Sequence, residues 1–272
     1  MRLSVQESLV KGKSFAEKLQ LIEEYGFEGI ELWGMTPPED WNIYHAHSVP
    51  ENLQIIKEGL STSTIKVSAI CAYPGQLLAA TEKERIQAVE DIKKRLEISA
   101  ELGSVGVITV PVFGQPKISF PSDYSKVLKV ERRILVDEYK TLSKHAENLG
   151  VNIILEPINR YETHLINTVD QALEIKNAVA SENLKIMVDF FHMNIEEKNI
   201  SNTIEKGSNS IVHIHLADSN RMLPGNGHID FKSAFKIIKK QGYKNFLSIE
   251  CDVPTNPSIE LPKAVEYIRT LL

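Results

Sequence analysis

The sequence predicts an α/β fold and, within that class, a single-domain (β/α)8 TIM barrel. Short apolar runs alternate with longer amphipathic segments along the chain, which argues for βα units and a parallel sheet. Eight such strand-plus-helix pairs can be drawn. The 272 residues, 42% of them hydrophobic, contain no Pro/Gly/Ser-rich linker, and barrels of roughly this size are commonly one domain. A doubly wound open sheet is the competing architecture, but no G-x-G-x-x-G follows the first strand and no G-x-x-x-x-G-K-S/T occurs.

Taken in order, the first strand falls at Arg2–Gln6 and the first helix at Ser14–Tyr25, where Gly26 stops it. Gly29–Trp33 is the second strand, followed by a helix at Glu51–Leu60. Ile65–Ala69 reads as the third, before a loop through Cys71, Pro74 and Gly75. A long helix at Glu82–Leu102 carries Ile86, Val89, Ile92, Leu96 and Ile98 at near-helical spacing. Val105–Val110 is strand four, and the loop Pro111–Pro121 precedes a second long helix, Ser122–Leu149, capped by Gly150. Strand five is Val151–Leu155, stopped by Pro157, which removes a backbone donor. The remaining elements are a helix at Val169–Ala180, strand six at Lys185–Val188, a shorter helix at Ser201–Lys206, strand seven at Ile211–Leu216, a helix at Phe231–Lys240, strand eight at Phe246–Ile249 and a last helix at Ser258–Leu271.

Strands five to eight each deliver a polar residue at or near their C-terminal end: Glu156, Asp189, His215 and Glu250. They are separated by 33, 26 and 35 positions, each about one strand-plus-helix unit of roughly 30 residues. In a closed barrel, four consecutive strand ends converge on one side of the mouth, where catalytic groups of this fold arise. Convergent acids repel unless something positive lies between them. Two Glu, one Asp and one His form a mixed oxygen and nitrogen set that suits Mn²⁺, Mg²⁺ or Co²⁺, so one divalent metal is inferred.

Taken singly, each residue has a plainer reading. Asp189 fits a helix cap, and Glu250 a pairing with a nearby Lys. Four on successive strands are harder to explain that way, because charges in a barrel mouth are costly without partners. His213 and His215 lie on the same face of strand seven; His215, nearer the C-terminal end, is the better ligand, and His213 reads as a packed or supporting histidine. The loop after strand seven holds Pro224, Gly225 and Gly227 and turns tightly, with Arg221 placed to hold a polar substrate or else simply solvated.

A formal charge of −5 and scattered Lys and Arg give no basic stripe, which argues against nucleic acid as a partner. No stretch reads as a membrane segment. Cys71 and Cys251 lie far apart without Cys-x-x-Cys spacing, and the N-terminal MRLSVQESLV lacks a signal-peptide pattern, so a reducing cytoplasm is the expected location.

The segments LEPINRYE, VDFFHMNIEE, HIHLADSNRMLPGNGHIDF and LSIECD stand in an order and spacing that resemble the xylose isomerase-like barrel superfamily. Within it, the chain resembles the ketose 3-epimerase group typified by D-tagatose and D-psicose (allulose) 3-epimerases. The resemblance spans residues 1–272 as one domain and is strongest from Val151 to Asp252. It implies an isomerase of carbohydrate metabolism that inverts C3 of a ketose or keto-sugar acid through a cis-enediolate. The implied metal is Mn²⁺, with Co²⁺ or Mg²⁺ as alternatives and no organic cofactor. Its ligands would be Glu156, Asp189, His215 and Glu250; Glu156 and Glu250 would also be the catalytic acid/base pair, and Glu162, His192 and Arg221 substrate contacts. A homodimer or homotetramer is implied as well.

Substrate identity is less constrained. Trp33, Met35, His45, His47, Tyr73 and Phe113 are candidates for the pocket wall facing the far end of the sugar. No dedicated glycine-rich phosphate cradle is present, which argues for an unphosphorylated sugar. An aldose–ketose, hydroxypyruvate or inosose isomerase and an inosose dehydratase use the same kind of metal site and stay open. A metal-dependent endonuclease of abasic DNA on this barrel would need more ligands and a basic face, and a non-catalytic binding barrel would not need paired acids.

Overall fold

A run such as Ile153–Leu155 buries both its faces, so it needs helices on one side and a filled interior on the other. The computed structural model describes residues 1–33, 50–72, 76–118 and 124–272 and supplies both. Its strands are β1 Arg2–Gln6, β2 Gly29–Trp33, β3 Lys66–Cys71, β4 Gly106–Thr109, β5 Asn152–Leu155, β6 Leu184–Asp189, β7 Ile211–Leu216 and β8 Phe246–Ile249. Each pairs in parallel with the next, and β8 returns to β1 with Ser248 opposite Ser4, closing the barrel expected from the sequence.

The helices are α1 Phe15–Glu24, α2 Pro50–Ser61, α3 Glu82–Leu102, α4 Tyr124–Leu149, α5 Val169–Val179, α6 Phe190–Glu196, α7 Ile200–Gly207, α8 Phe231–Lys240 and α9 Pro257–Leu271. Their starts follow local chemistry. Ser14 accepts from the Glu17 amide, while Thr81 and Thr168 form reciprocal capping boxes with Glu84 and Gln171. Gly103 ends α3 at φ 67°, a left-handed conformation that costs glycine no steric penalty. Val89, Ile92, Leu96 and Ile98 bury the expected stripe of α3, but Ile86 is 58% exposed in the first turns.

Two expectations need correction. The third strand runs one residue later and further than expected, so Cys71 is a strand residue; an irregularity in the β2–β3 register accompanies the shift. The helix α6 was not expected. Its seven residues are too few to show a periodicity, and it forms because the Asp189 carboxylate accepts from the Phe191 amide at 2.7 Å. Ser122, Pro74 and Gly75 lie outside the described residues.

Alternation along the strands divides the core in two. Outward residues such as Val5, Ile30, Leu32, Val107, Ile153 and Leu247 pack under the helices. A separate apolar cluster of Ala69, Cys71, Ile108, Ile154 and Met187 fills the barrel on the side of β3 to β6. The remaining strands contribute buried polar residues at the same alternation: Ser4, Gln6, Glu31, His213, His215 and Ser248. The two cysteines are free and buried. Among the described residues no helix is long and apolar enough to cross a membrane.

Candidate metal centre and active site

The polar half of the interior continues upward into the mouth. Glu156, Asp189, His215 and Glu250 each stand two residues beyond an inward-facing residue, Ile154, Met187, His213 and Ser248 respectively, so strand alternation aims all four at the same axis. Backbone pairing carries them there: the Glu156 amide donates to Thr109 O at 3.0 Å and the Glu250 amide to Leu216 O at 3.3 Å. Asp189 lies opposite His215 in the β6–β7 register.

The structure brings these four residues together. His215 Nδ1 lies 3.1 Å from Glu250 Oε2, 3.7 Å from Glu156 Oε1 and 4.0 Å from Asp189 Oδ2. Glu156, Asp189 and His215 each offer a donor atom within 4.8 Å of the others. All four are buried. Nδ1 makes no hydrogen bond there, although Nε2 of the same ring is bonded to Glu31 at 2.9 Å. A buried ring nitrogen without a bond, facing three carboxylates, fits a divalent cation.

The electrostatics show the same requirement. Burial, together with Glu250 and Asp189, pushes the Glu156 carboxyl well up despite His215. Burial would also raise Asp189, but Arg221, His192 and His215 hold it down to about 2. In the protein alone burial works against a charged His215, yet Glu31 and Glu250 outweigh it and hold the ring protonated well above its ordinary range. A cation seated at Nδ1 would have to displace that proton.

Asp189 caps α6 through Oδ1, while Oδ2 accepts from Arg221 Nη1 on the side of the site. Arg221 is neither solvated nor remote. Its Nη1 donates to Asp189 Oδ2 and its Nη2 to Glu250 Oε2, both at 2.7 Å, and its guanidinium lies 4.8 Å over the Phe191 ring. The backbone holding it is in the left-handed region at φ 64°, fixed by bonds from the Arg221 amide to Asp218 O and from the Asp252 amide to Arg221 O. Such a conformation costs a non-glycine residue on the order of 1–2 kcal/mol and persists only where neighbours enforce it. Glu250, expected either to bind metal or to pair with a lysine, is paired with Arg221 and with Gln6 Nε2 at 3.3 Å.

Three further residues were not singled out from the sequence. Asn159 donates through Nδ2 to Glu162 Oε1 and approaches His192 Nδ1, both at 2.7 Å, and its own amide N–H also points at that nitrogen. His192 therefore accepts at Nδ1 and presents Nε2–H on the side of Asp189 Oδ2, 3.8 Å away. Asp218 accepts from the amides of Ser219, Gly225 and Ile229, and so folds the loop that carries Arg221. Glu31 binds both histidines of β7. An acid inside the apolar run GIELW was the available signal for Glu31. Asn159 and Asp218 stand inside the quoted motifs, but nothing in their spacing marked them.

Glu156, Glu162, His192, Arg221 and Glu250 line a cavity of about 290 Å³, with Trp33, Ala72, Val110, Phe113 and Ile158 as an apolar wall. Of the six candidates for the pocket wall, Trp33 and Phe113 line this cavity, whereas Met35, His45, His47 and Tyr73 lie outside the described residues.

A family model described as xylose isomerase-like TIM barrel matches residues 19–271. A 3-dehydro-D-guloside 4-epimerase of Escherichia coli is 27% identical over 99% of this chain and 100% of its own length. A ketose 3-epimerase of Arthrobacter globiformis is 26% identical over 83% of this chain and 73% of its own. Among solved structures, an apo 3-keto-D-glucoside 4-epimerase from E. coli superposes with a TM-score of 0.86 at 25% identity, covering 99% of both chains. With the eight-stranded closure and a match running through every strand from β2 to β8, the chain belongs to the xylose isomerase-like TIM barrel family.

Proposed function

We propose that this chain is a metal-dependent sugar epimerase that inverts the carbon next to a ketone, C3 in a ketose or keto-sugar acid, through a cis-enediolate. The observation that carries the reading is the presence of two buried glutamates, Glu156 and Glu250, on strand ends five and eight, flanking one imidazole nitrogen and lining one cavity. The relatives named as sugar epimerases support the reaction class.

Glu156, Asp189, His215 and Glu250 would hold the ion, which is Mn²⁺ in this proposal, with Co²⁺ or Mg²⁺ as alternatives. When bound, it would polarise the substrate carbonyl and acidify the adjacent carbon-bound proton. The chain's own residues would do the rest. One glutamate takes the proton from one face while the other supplies a proton to the opposite face, which changes configuration without an organic cofactor. His192, with Nε2–H on the Asp189 side, and Arg221 would orient and neutralise the sugar oxygens, and Glu162 at the rim would accept from a hydroxyl. A homodimer or homotetramer in solution belongs to the same proposal, supported by the family resemblance and open to sedimentation.

A second reading rests on the full-length match to the 3-dehydro-D-guloside 4-epimerase. A keto-glycoside would use the same two carboxylates, with C4 inverted next to a C3 ketone. Turnover of free ketoses and 3-keto-glycosides in deuterated water, followed by NMR, separates the readings. Deuterium is expected at inverted C3 of a ketose, at inverted C4 if the glycoside is the substrate, and only at C1 if the enzyme is an aldose–ketose isomerase. Glu156→Gln and Glu250→Gln should each lower turnover by several orders of magnitude, since acid–base catalysis alone contributes roughly 10²–10⁴-fold. Normal epimerisation by either variant would end the two-carboxylate mechanism.

A further inference from the structure

Glu31 is an ionisable residue in the middle of β2, fully buried inside the barrel, where β3 to β6 supply the apolar cluster of Ala69, Cys71, Ile108, Ile154 and Met187. A carboxylate in such a place is costly unless hydrogen-bonded donors compensate it. Its partners come from across the barrel. β1 and β8 separate β2 from β7, yet Glu31 Oε2 lies 2.6 Å from His213 Nε2 and 2.9 Å from His215 Nε2. One oxygen thus accepts from both rings, and each Nε2 must carry the proton. That leaves Nδ1 of His215 as the nitrogen facing Glu156, Asp189 and Glu250.

We infer that Glu31 is the positioning residue of the metal centre: its carboxylate holds His215 as a donor at Nε2 and thereby aims the bare Nδ1 at the ion, with His213 sharing the same oxygen as a brace. The inference rests on the metal reading given above. A carboxylate behind a ligating histidine fixes its tautomer and ring orientation and raises its basicity as a ligand. Glu31, His213 and His215 also satisfy the donor types of a second cation site. At 2.6 and 2.9 Å, however, their atoms are at hydrogen-bond separation, so protons occupy the space between them.

The test measures Mn²⁺ binding by the electron paramagnetic resonance signal of free Mn²⁺, and His215 itself by ¹⁵N imidazole NMR of the Zn²⁺-loaded protein. Wild type should bind one ion per chain, with Zn²⁺ on Nδ1 and a proton retained on Nε2. Glu31→Leu removes the acceptor at similar volume and should weaken Mn²⁺ binding about 10–100-fold. Glu31→Gln keeps an acceptor oxygen and should recover part of that loss; it is the variant that decides if Glu31→Leu fails to fold. Folded Glu31→Leu binding Mn²⁺ like wild type overturns the role of Glu31, as does zinc on Nε2 of His215. The inference also fails if Glu31→Gln, where Glu31→Leu does not fold, binds Mn²⁺ like wild type, or if a second ion per chain disappears in the Glu31 variants. Wild type binding no divalent ion would sink the metal reading itself along with this inference.

Discussion

Arg221 shows how much a single residue is decided by its surroundings. Its guanidinium bridges Asp189 and Glu250, two of the four residues expected to hold the ion, and so supplies positive charge among buried acids. It has no lone pair to offer a metal. Arg221→Ala should therefore leave metal content intact while raising KM or lowering kcat. Asp189→Asn should weaken metal binding by more than about a hundredfold, beyond the roughly 10–100-fold typical of supporting residues. Metal analysis and steady-state kinetics on the same preparations separate the two effects, and loss of metal from Arg221→Ala would contradict the assignment. Cap and ligand need not be alternatives for Asp189, because a carboxylate has two oxygens: Oδ1 caps α6, and Oδ2, which accepts from Arg221, lies on the side of the site.

At the scale of an element, the loop from Asp218 to Ile229 is the piece on which the site depends. Proline and glycine content announced a tight turn, but its hub is the Asp218 carboxylate with three backbone amides on it. Gly227 passes so close that an added Cβ would lie 2.3 Å from Asp218 Oδ1 and 2.5 Å from Ser219 Oγ. Gly227→Ala must push this hub aside, and with it the left-handed backbone at Arg221. The expected result is a stability loss of about 1–3 kcal/mol in urea unfolding, with kcat/KM reduced and metal still bound. Wild-type stability and kinetics in this variant would show that the loop does not position Arg221. The short helix α6 teaches the same lesson, since its start is a property of Asp189 and its seven residues leave no periodic trace.

For the whole molecule, the four expected ligands come from four successive strands, so an ion would tie β5, β6, β7 and β8 together at one point. An ion that binds only the folded chain stabilises it by mass action, about 2.7 kcal/mol at a free concentration one hundred times Kd. Exhaustive chelation should abolish turnover and lower Tm, and Mn²⁺ should restore both. Full turnover after chelation would remove the metal from the proposal. What the sequence by itself determined has a local cause: strands written as apolar runs, helix ends written as caps, and the polar residues at strand ends, whose spacing repeats with the βα unit. The tertiary structure alone decided which groups meet. Glu31 lies 182 residues from His213, and no pattern in β2 reveals that its partners stand across the barrel on β7. The reason is physical: alternation along a strand fixes which face a side chain takes, whereas closure of the barrel fixes what it faces.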